Sequence, residues 1–430
     1  MIPVCLWGQK SSLSEKESKD LGKLITESTV FKKGFTGFVL FDPETRQYLY
    51  EYQADKYFTP ASNNKILTFF ASENILMKEI PLLFYQDLGD TLRFWGTGYP
   101  MLLHPEFEGY DTLSNWLKNR NEQVWQFSNA NYTDQRYGEG WSWDDYPYGY
   151  QVEKASFPLF ANAVRLMKDG HLDTLEVRPP YFQDRLIYKP SPTFGRLEDR
   201  NIFTFGEKAL RAEEVDRSVG YMWSPLLFET LLQDTFKVNV EIINDSLPPK
   251  GMYQSLMAPM PDTIYRELLH DSDNFIAEQL MLMSSAVRYG ELNTHKIIEY
   301  VNDTLFAYLP QPLHWVDGSG LSRYNKATPQ DLVIILDQLY QRIPKERLFD
   351  LFPAGGDSGT LKSWYKGLNE EIFIFAKTGT LRHVHCLSGY LMNKKGKVYI
   401  FSFMHNNFPD KLTELKEEMQ KVFLWLYERL

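Results

Sequence analysis

The sequence predicts an α+β protein, an antiparallel sheet flanked by helices and interrupted by a mostly β insertion. Three observations carry this reading. Strand-forming runs stand near both ends of the 430-residue chain, amphipathic segments bracket them, and residues 80–219 are richer in Tyr, Trp, Pro and Gly and lack long helical periodicity.

Residues 14–28 carry apolar positions at helical spacing. Residues 37–41 and 47–52 are β-rich runs, and Asp42-Pro43-Glu44-Thr45-Arg46 between them is turn chemistry. Ser62 opens a helix with Ile66, Leu67, Phe70 and Leu76 at its apolar positions. Residues 373–380, 387–392 and 397–404 read as three antiparallel strands, the last two joined by a turn at Asn393-Lys394-Lys395-Gly396. Residues 411–430 close the chain as an amphipathic helix. Strands from both ends therefore form one sheet, with the Ser62 helix and the Ser272 region in front. The domain organisation that follows is a tail or signal-peptide remnant at 1–13, a discontinuous main domain at 14–79 plus 220–430, and an inserted region of one or two small domains at 80–219. There is no internal repeat and no low-complexity tract.

Length and 43% hydrophobic content suit a globular protein of two or three domains. A formal net charge of −10 argues against nucleic acid, which needs a basic face. No apolar run is long enough to cross a bilayer. Core packing accounts for most of the 15% aromatic content. The two cysteines, Cys5 and Cys386, make no disulfide framework, and a bridge between them is not expected; their small number leaves the compartment open. Met1 to Lys10 resembles the end of a secretory signal without its basic start, or else a short disordered tail.

Three short motifs stand in order: Ser62-Asn63-Asn64-Lys65, Ser272-Asp273-Asn274 and Lys377-Thr378-Gly379. Singly they are cheap, since Ser363-Trp364-Tyr365-Lys366 repeats the spacing of the first and Ser72-Glu73-Asn74 that of the second. The ordered set is far more specific. A serine hydroxyl is a poor nucleophile without a base in reach, and positions three apart on a helix share a face, so Lys65 can meet Ser62. Lys65 must be neutral to accept the proton; burial and a nearby Lys377 both lower its pKa. Lys377 and Thr378 suit a terminal carboxylate, and Gly379 permits close approach to the strand backbone. The plainer readings are a helix start, a capping loop rich in Asp, Ser and Asn, and a structural strand ending in a Gly turn.

The flanks extend the pattern: Pro60-Ala61 before the first motif and Ile66-Leu67-Thr68 after it, His270-Asp271 and Phe275 to Leu280 around the second, Thr380-Leu381 after the third, and Val316-Asp317-Gly318-Ser319-Gly320-Leu321-Ser322-Arg323-Tyr324-Asn325 between the last two. From about Gly34 to the carboxyl terminus the chain resembles the class C low-molecular-mass penicillin-binding proteins, the D-alanyl-D-alanine carboxypeptidase/endopeptidase family. The resemblance implies a penicillin-binding serine transpeptidase/β-lactamase-like fold and an acyl-enzyme on Ser62. It further implies that Asn274 orients Lys65 and the substrate amide, that Ser272 with Lys377 relays a proton to the leaving amine, and that the amides of Ser62 and Thr380 form an oxyanion hole. Substrate contacts fall to Thr378, Gly379 and Thr380. Within Gly140-Trp141-Ser142-Trp143-Asp144-Asp145, the resemblance places Asp145 near the amino group of a diaminopimelate-type side chain. Peptidoglycan stem peptides and β-lactams are the implied partners, a bacterial periplasm or other exported site the implied compartment, and no cofactor or metal is implied.

Two departures from the family pattern bear on substrate recognition: Gly98-Tyr99-Pro100 in place of Gly-Asp-Pro, and Tyr150-Gln151-Val152-Glu153-Lys154-Ala155-Ser156 in place of a Tyr-Gly-Ala-Pro run. The rival functions are a β-lactamase-like hydrolase, which needs a strong deacylating base that no motif supplies, and a catalytically silent wall-binding scaffold, which has no need of the full set. Gly356-Asp357-Ser358-Gly359-Thr360 has its second Gly too early for a nucleophile elbow. His383, His385 and Cys386 lack the companions of a zinc site, and on a strand Cys386 faces away from the two histidines.

Overall fold

The computed structural model describes residues 13–107, 109, 112–168, 175–190, 194–409 and 411–430. Cys5 and the expected signal remnant lie outside these residues.

The central sheet has five antiparallel strands in the order Ile374–Leu381, Val384–Met392, Val398–Asn406, Phe35–Asp42, Gln47–Tyr52. Strands from the two ends of the chain meet where Phe35–Asp42 pairs with Val398–Asn406. Both faces of these inner strands are covered, which is why they read as nearly continuous apolar runs. Period-two alternation sends Phe38, Leu40, Phe401 and Phe403 into one core, with Phe423 and Leu426 of the Leu412–Arg429 helix and Leu21 of the Glu15–Thr26 helix. The alternate residues Val39, Phe41, Ile400 and Met404 enter the other core, with Ile66, Ile276 and Leu336 of the Lys65–Ile75, Asn274–Tyr289 and Pro329–Arg342 helices. Each such side chain, fully buried, contributes roughly 1.5–3 kcal/mol.

The helices begin where their chemistry dictates. Ser14 and Glu17 form a reciprocal capping box, as do Thr328 and Asp331 ahead of Pro329. The 3-10 turn Ala61–Asn64 leads into the Lys65–Ile75 helix, so Ser62 precedes the α-helix and does not begin it.

The insertion is mostly β, as expected, and differs from the expected one in extent. A five-stranded mixed sheet runs Asn239–Ile243, Val124–Ser128, Thr91–Gly96, Glu79–Asp87, Gln254–Pro259. Its two edge strands lie beyond residue 219, so the boundary expected there falls inside the insertion. The Thr112–Lys118 and Pro225–Phe236 helices accompany it. Two three-stranded sheets, one around Ala163–Lys168 and one around Phe203–Phe205, complete it among the described residues. Among the described residues no helix is long and apolar enough to cross a membrane.

Candidate active site

The three motifs converge on one cleft. In the 3-10 turn, side chains three apart eclipse, and Lys65 Nζ lies 3.0 Å from Ser62 Oγ. The same nitrogen lies 2.6 Å from Asn274 Oδ1 and 2.7 Å from the Ser319 carbonyl. Asn274 donates its own amide to the Tyr150 carbonyl at 2.9 Å, linking the insertion to the site. Asp273 caps the Asn274–Tyr289 helix by accepting from the Ile276 amide at 2.7 Å, so the second motif is at once a helix start and a wall of the cleft. Ser272 stands just after a π-turn, Glu267–Asp271, with a left-handed φ of 63° that turns the chain toward the cleft.

Lys377 lies on the edge strand Ile374–Leu381 and donates to Ser272 Oγ at 2.8 Å and to the Thr378 carbonyl at 3.0 Å. The Ser62 turn is bolted to that strand by Asn63, whose amide donates to the Lys377 carbonyl at 2.8 Å. What approaches Gly379 is this turn: a Cβ there would run into the Pro60 carbonyl and sit 2.6 Å from the Asn63 amide nitrogen. Thr378 is buried, and its hydroxyl donates to Thr360 at 2.8 Å, inside the Gly-Asp-Ser-Gly-Thr segment set aside as a nucleophile elbow. Thr380 lines the cleft with Ser62, Ser272 and Asn274.

Both lysines are fully buried. Burial pulls Lys65 down to about 8 against the charges of Asp273, Asp317 and Glu278, which hold its proton. Lys377 falls well below the ordinary lysine range through burial first and the Lys65 charge second.

The cleft encloses about 1000 Å³. Asp144 and Asp145 lie on its wall, in the turn Trp143–Asp145, together with the stacked rings of Tyr148 and Tyr150, whose centroids are 5.3 Å apart. Burial first, then the neighbouring Asp145, raises the Tyr150 hydroxyl. Arg323 and Arg382, both exposed, face the same space.

Several contributors were not singled out from sequence. Asn63 and Asn64 are buried polar residues at a turn packed on the sheet, and Asp317 and Ser319 are fully buried in a loop that the sequence marks only as a flank between the last two motifs. Arg323 and Arg382 are lone bases in loops and carry no spacing signature. Of the chance motifs, Ser72 spends its hydroxyl on the carbonyls of its own helix. His385 is buried with Nδ1 2.9 Å from Thr380 Oγ1, and Cys386 is buried on the opposite face, its thiol pushed up to about 12. Among the described residues no group of three or more His, Cys, Asp and Glu side chains is arranged to hold a metal ion.

Comparison with known proteins gives a consistent picture. The model of the D-Ala-D-Ala carboxypeptidase 3 (S13) family matches residues 18–181 and 219–428. The penicillin-sensitive carboxypeptidase A of Dictyostelium discoideum is 27% identical over 219 residues, 46% of this chain and 41% of that protein, so the matched stretch spans about two fifths of the relative. A crystal structure of penicillin binding protein 4 from Haemophilus influenzae superposes with a TM-score of 0.75 at 19% identity, covering 96% of this chain and 99% of that one. A crystal structure of the same protein complexed with a β-lactam gives 0.70 at 17% identity, over 96% and 99% of the two chains. These likenesses establish the fold as that of the penicillin binding protein 4 structures.

Proposed function

The chain belongs to the D-Ala-D-Ala carboxypeptidase 3 (S13) family, and from that premise we propose that it is a serine D-alanyl-D-alanine carboxypeptidase/endopeptidase acting on peptidoglycan stem peptides. The observation that carries the reading is the environment of Lys65 Nζ. A neutral amine there directs its two N–H bonds at Asn274 Oδ1 and the Ser319 carbonyl, and its lone pair is left facing Ser62 Oγ at 3.0 Å. That is the arrangement of a nucleophile with its base.

Ser62 Oγ attacks the penultimate D-Ala carbonyl, and its proton passes to Lys65. The negative charge on the tetrahedral oxygen is met by the amides of Ser62 and Thr380, donors of a kind that contribute roughly 3–4 kcal/mol. The C–N bond breaks as Ser272 gives its proton to the departing amine, and Ser272 is reprotonated from Lys377, 2.8 Å away. Exchange with solvent returns Lys65 to the neutral amine and Lys377 to the ammonium. Water then attacks the acyl-enzyme, giving a proton to Lys65, which passes it to Ser62 Oγ as the ester C–O bond breaks and the shortened peptide leaves. The same cycle removes a terminal D-Ala or cuts a D-Ala–diaminopimelate cross-link. Asp145 suits the free ammonium of such a side chain, and the exposed Arg323 and Arg382 suit substrate carboxylates. A β-lactam follows the acylation steps and stays on Ser62. The substrate places the protein in the cell-wall compartment, outside the cytoplasm.

The test is intact-protein mass after incubation with benzylpenicillin, on wild type and Ser62→Ala in parallel. A single-adduct shift in wild type that is lost in the variant is expected. Fast disappearance of the drug without an adduct would point to a β-lactamase, and survival of the drug without an adduct to a binding scaffold.

A further inference from the structure

We propose that Asp317 is a positioning residue of this active site, holding in register the carbonyl that grips Lys65 and the loop of the insertion that carries Asp144 and Asp145. The proposal rests on the acyl-transfer reading of Ser62 and Lys65.

Asp317 is 1% exposed, yet it is met by neutral donors on every side. Its Oδ1 accepts from the Gly320 amide at 2.9 Å and from Asn325 Nδ2 at 2.7 Å. Its Oδ2 accepts from the Ser322 amide at 2.7 Å and from Trp141 Nε1 at 2.8 Å. Four donors fill the lone-pair sites a carboxylate offers. Its backbone carbonyl takes two more, Asn64 Nδ2 and Trp315 Nε1, each at 2.6 Å.

These bonds run to both halves of the site. The amides of Gly320 and Ser322 wrap the loop around the carboxylate, and this fold of the chain sets Ser319, whose carbonyl accepts Lys65 Nζ at 2.7 Å. Gly320 has a φ of +84° and packs so closely on the Ser62 turn that a Cβ would run into the Ala61 carbonyl. Asn64, tied to the Asp317 carbonyl, is the residue just before Lys65. Trp141 stands one residue before Ser142, and Ser142, Asp144 and Asp145 line the cleft. One buried aspartate, through its carbonyl to Asn64 and its carboxylate to Trp141, thus joins the catalytic turn to the loop that carries the substrate wall.

The same carboxylate acts on Lys65 through space. The charged groups around Lys65 are Asp273 on the Ser272 loop, Glu278 on the following helix, Asp317, and Lys377 on the edge strand. Asp317 is one of the three that favour the ammonium form. Removing its charge therefore moves the pH at which Lys65 becomes a base downward, an effect that a residue serving only to stabilise the fold would not produce.

The experiment compares wild type, Asp317→Asn and Trp141→Phe in benzylpenicillin acylation across pH and in hydrolysis of a stem-peptide substrate. Asn keeps the shape but offers one acceptor oxygen in place of two. Asp317→Asn is expected to slow acylation about 10²-fold, the order of effect of a displacement near 1 Å, and to shift the rising limb of the pH profile to lower pH. Trp141→Phe keeps the Asp317 charge, so its limb stays at the wild-type pH, while KM for the peptide rises as the Asp145 loop loses its anchor. A folded Asp317→Asn protein with wild-type rate and limb overturns the proposal. Where Asp317→Asn does not fold, wild-type peptide KM in Trp141→Phe overturns the link between the two domains. No adduct on the wild type together with survival of the drug overturns the acyl-transfer reading itself, a separate outcome.

Discussion

At the scale of single residues, the site turns on two buried lysines in unequal surroundings. Lys65 sits among Asp273, Asp317 and Glu278, and burial still brings it down to about 8. A base works in its unprotonated form, whose fraction grows about tenfold per pH unit below the pKa and saturates above it. Acylation by benzylpenicillin should therefore rise about tenfold between pH 6 and 7 and level off above about pH 8. A rate flat across that window would place the base elsewhere. Lys65→Arg separates basicity from charge. A guanidinium keeps the positive charge but does not deprotonate in proteins, so acylation should fall by about 10²–10⁴; near-normal acylation would make Lys65 an electrostatic anchor only. The spacing of Ser62 and Lys65 made this pair visible in the sequence. The acids around it were not visible, because Asp273 and Glu278 belong to one helix start and Asp317 to a later loop, both far from Lys65 in the chain, and only tertiary packing brings them to one amine.

At the scale of elements, the edge strand and the Ser62 turn work as one piece. Asn63 bonds to the Lys377 carbonyl, and Gly379 leaves no room between them for even a methyl group. Gly379→Ala should push the strand from the turn, lower Tm by several degrees and slow acylation about 10²-fold. Gly195→Ala is the control, since its Cβ would meet no atom closer than 3.6 Å, and it should leave both values unchanged. Equal behaviour of the two variants would show that the close contact is not needed. Capping boxes mark two helix starts, Ser14 with Glu17 and Thr328-Pro329 with Asp331, but only the first of these helices was expected, and from its apolar spacing. The 3-10 turn at Ala61–Asn64 and the π-turn at Glu267–Asp271 were not legible, because a change of one residue in the hydrogen-bond step leaves the apolar pattern almost unaltered. The strands Asn239–Ile243 and Gln254–Pro259 escaped for a different reason. Each is short, and its membership in the inserted sheet is fixed by pairing with Val124–Ser128 and Glu79–Asp87, more than a hundred residues away.

At the scale of the molecule, two cores on opposite faces of one sheet hold the chain, and the cleft lies where the insertion meets the helical face. The two-faced sheet was readable because alternation and continuous burial both leave marks in local sequence. The meeting of domains was not, since it depends on loops such as Gly140–Asp145 whose composition says only that they turn. Behind the Ser272 loop lies a second cavity of about 670 Å³, walled in part by Glu267, Asp271 and Asp273. Burial first, then the charges of Asp273, Asp271 and Glu106, pushes the Glu267 carboxyl up to about 8 from an ordinary 4.5. A carboxyl whose folded pKa is raised binds its proton more tightly in the folded state than in the unfolded one. Its favourable share of stability is complete below about pH 4.5 and drains away as pH rises through about 8. Glu267→Gln mimics the protonated form at every pH. Its Tm should match the wild type near pH 4 and exceed it near pH 9, where only the wild type must bury the extra charge. Net negative charge weakens both proteins alike as pH rises, so the difference between them isolates this one group. A gap that is equal at both ends, or larger in acid, would mean that Glu267 is ionised in the folded protein throughout and that its acidic neighbours are compensated.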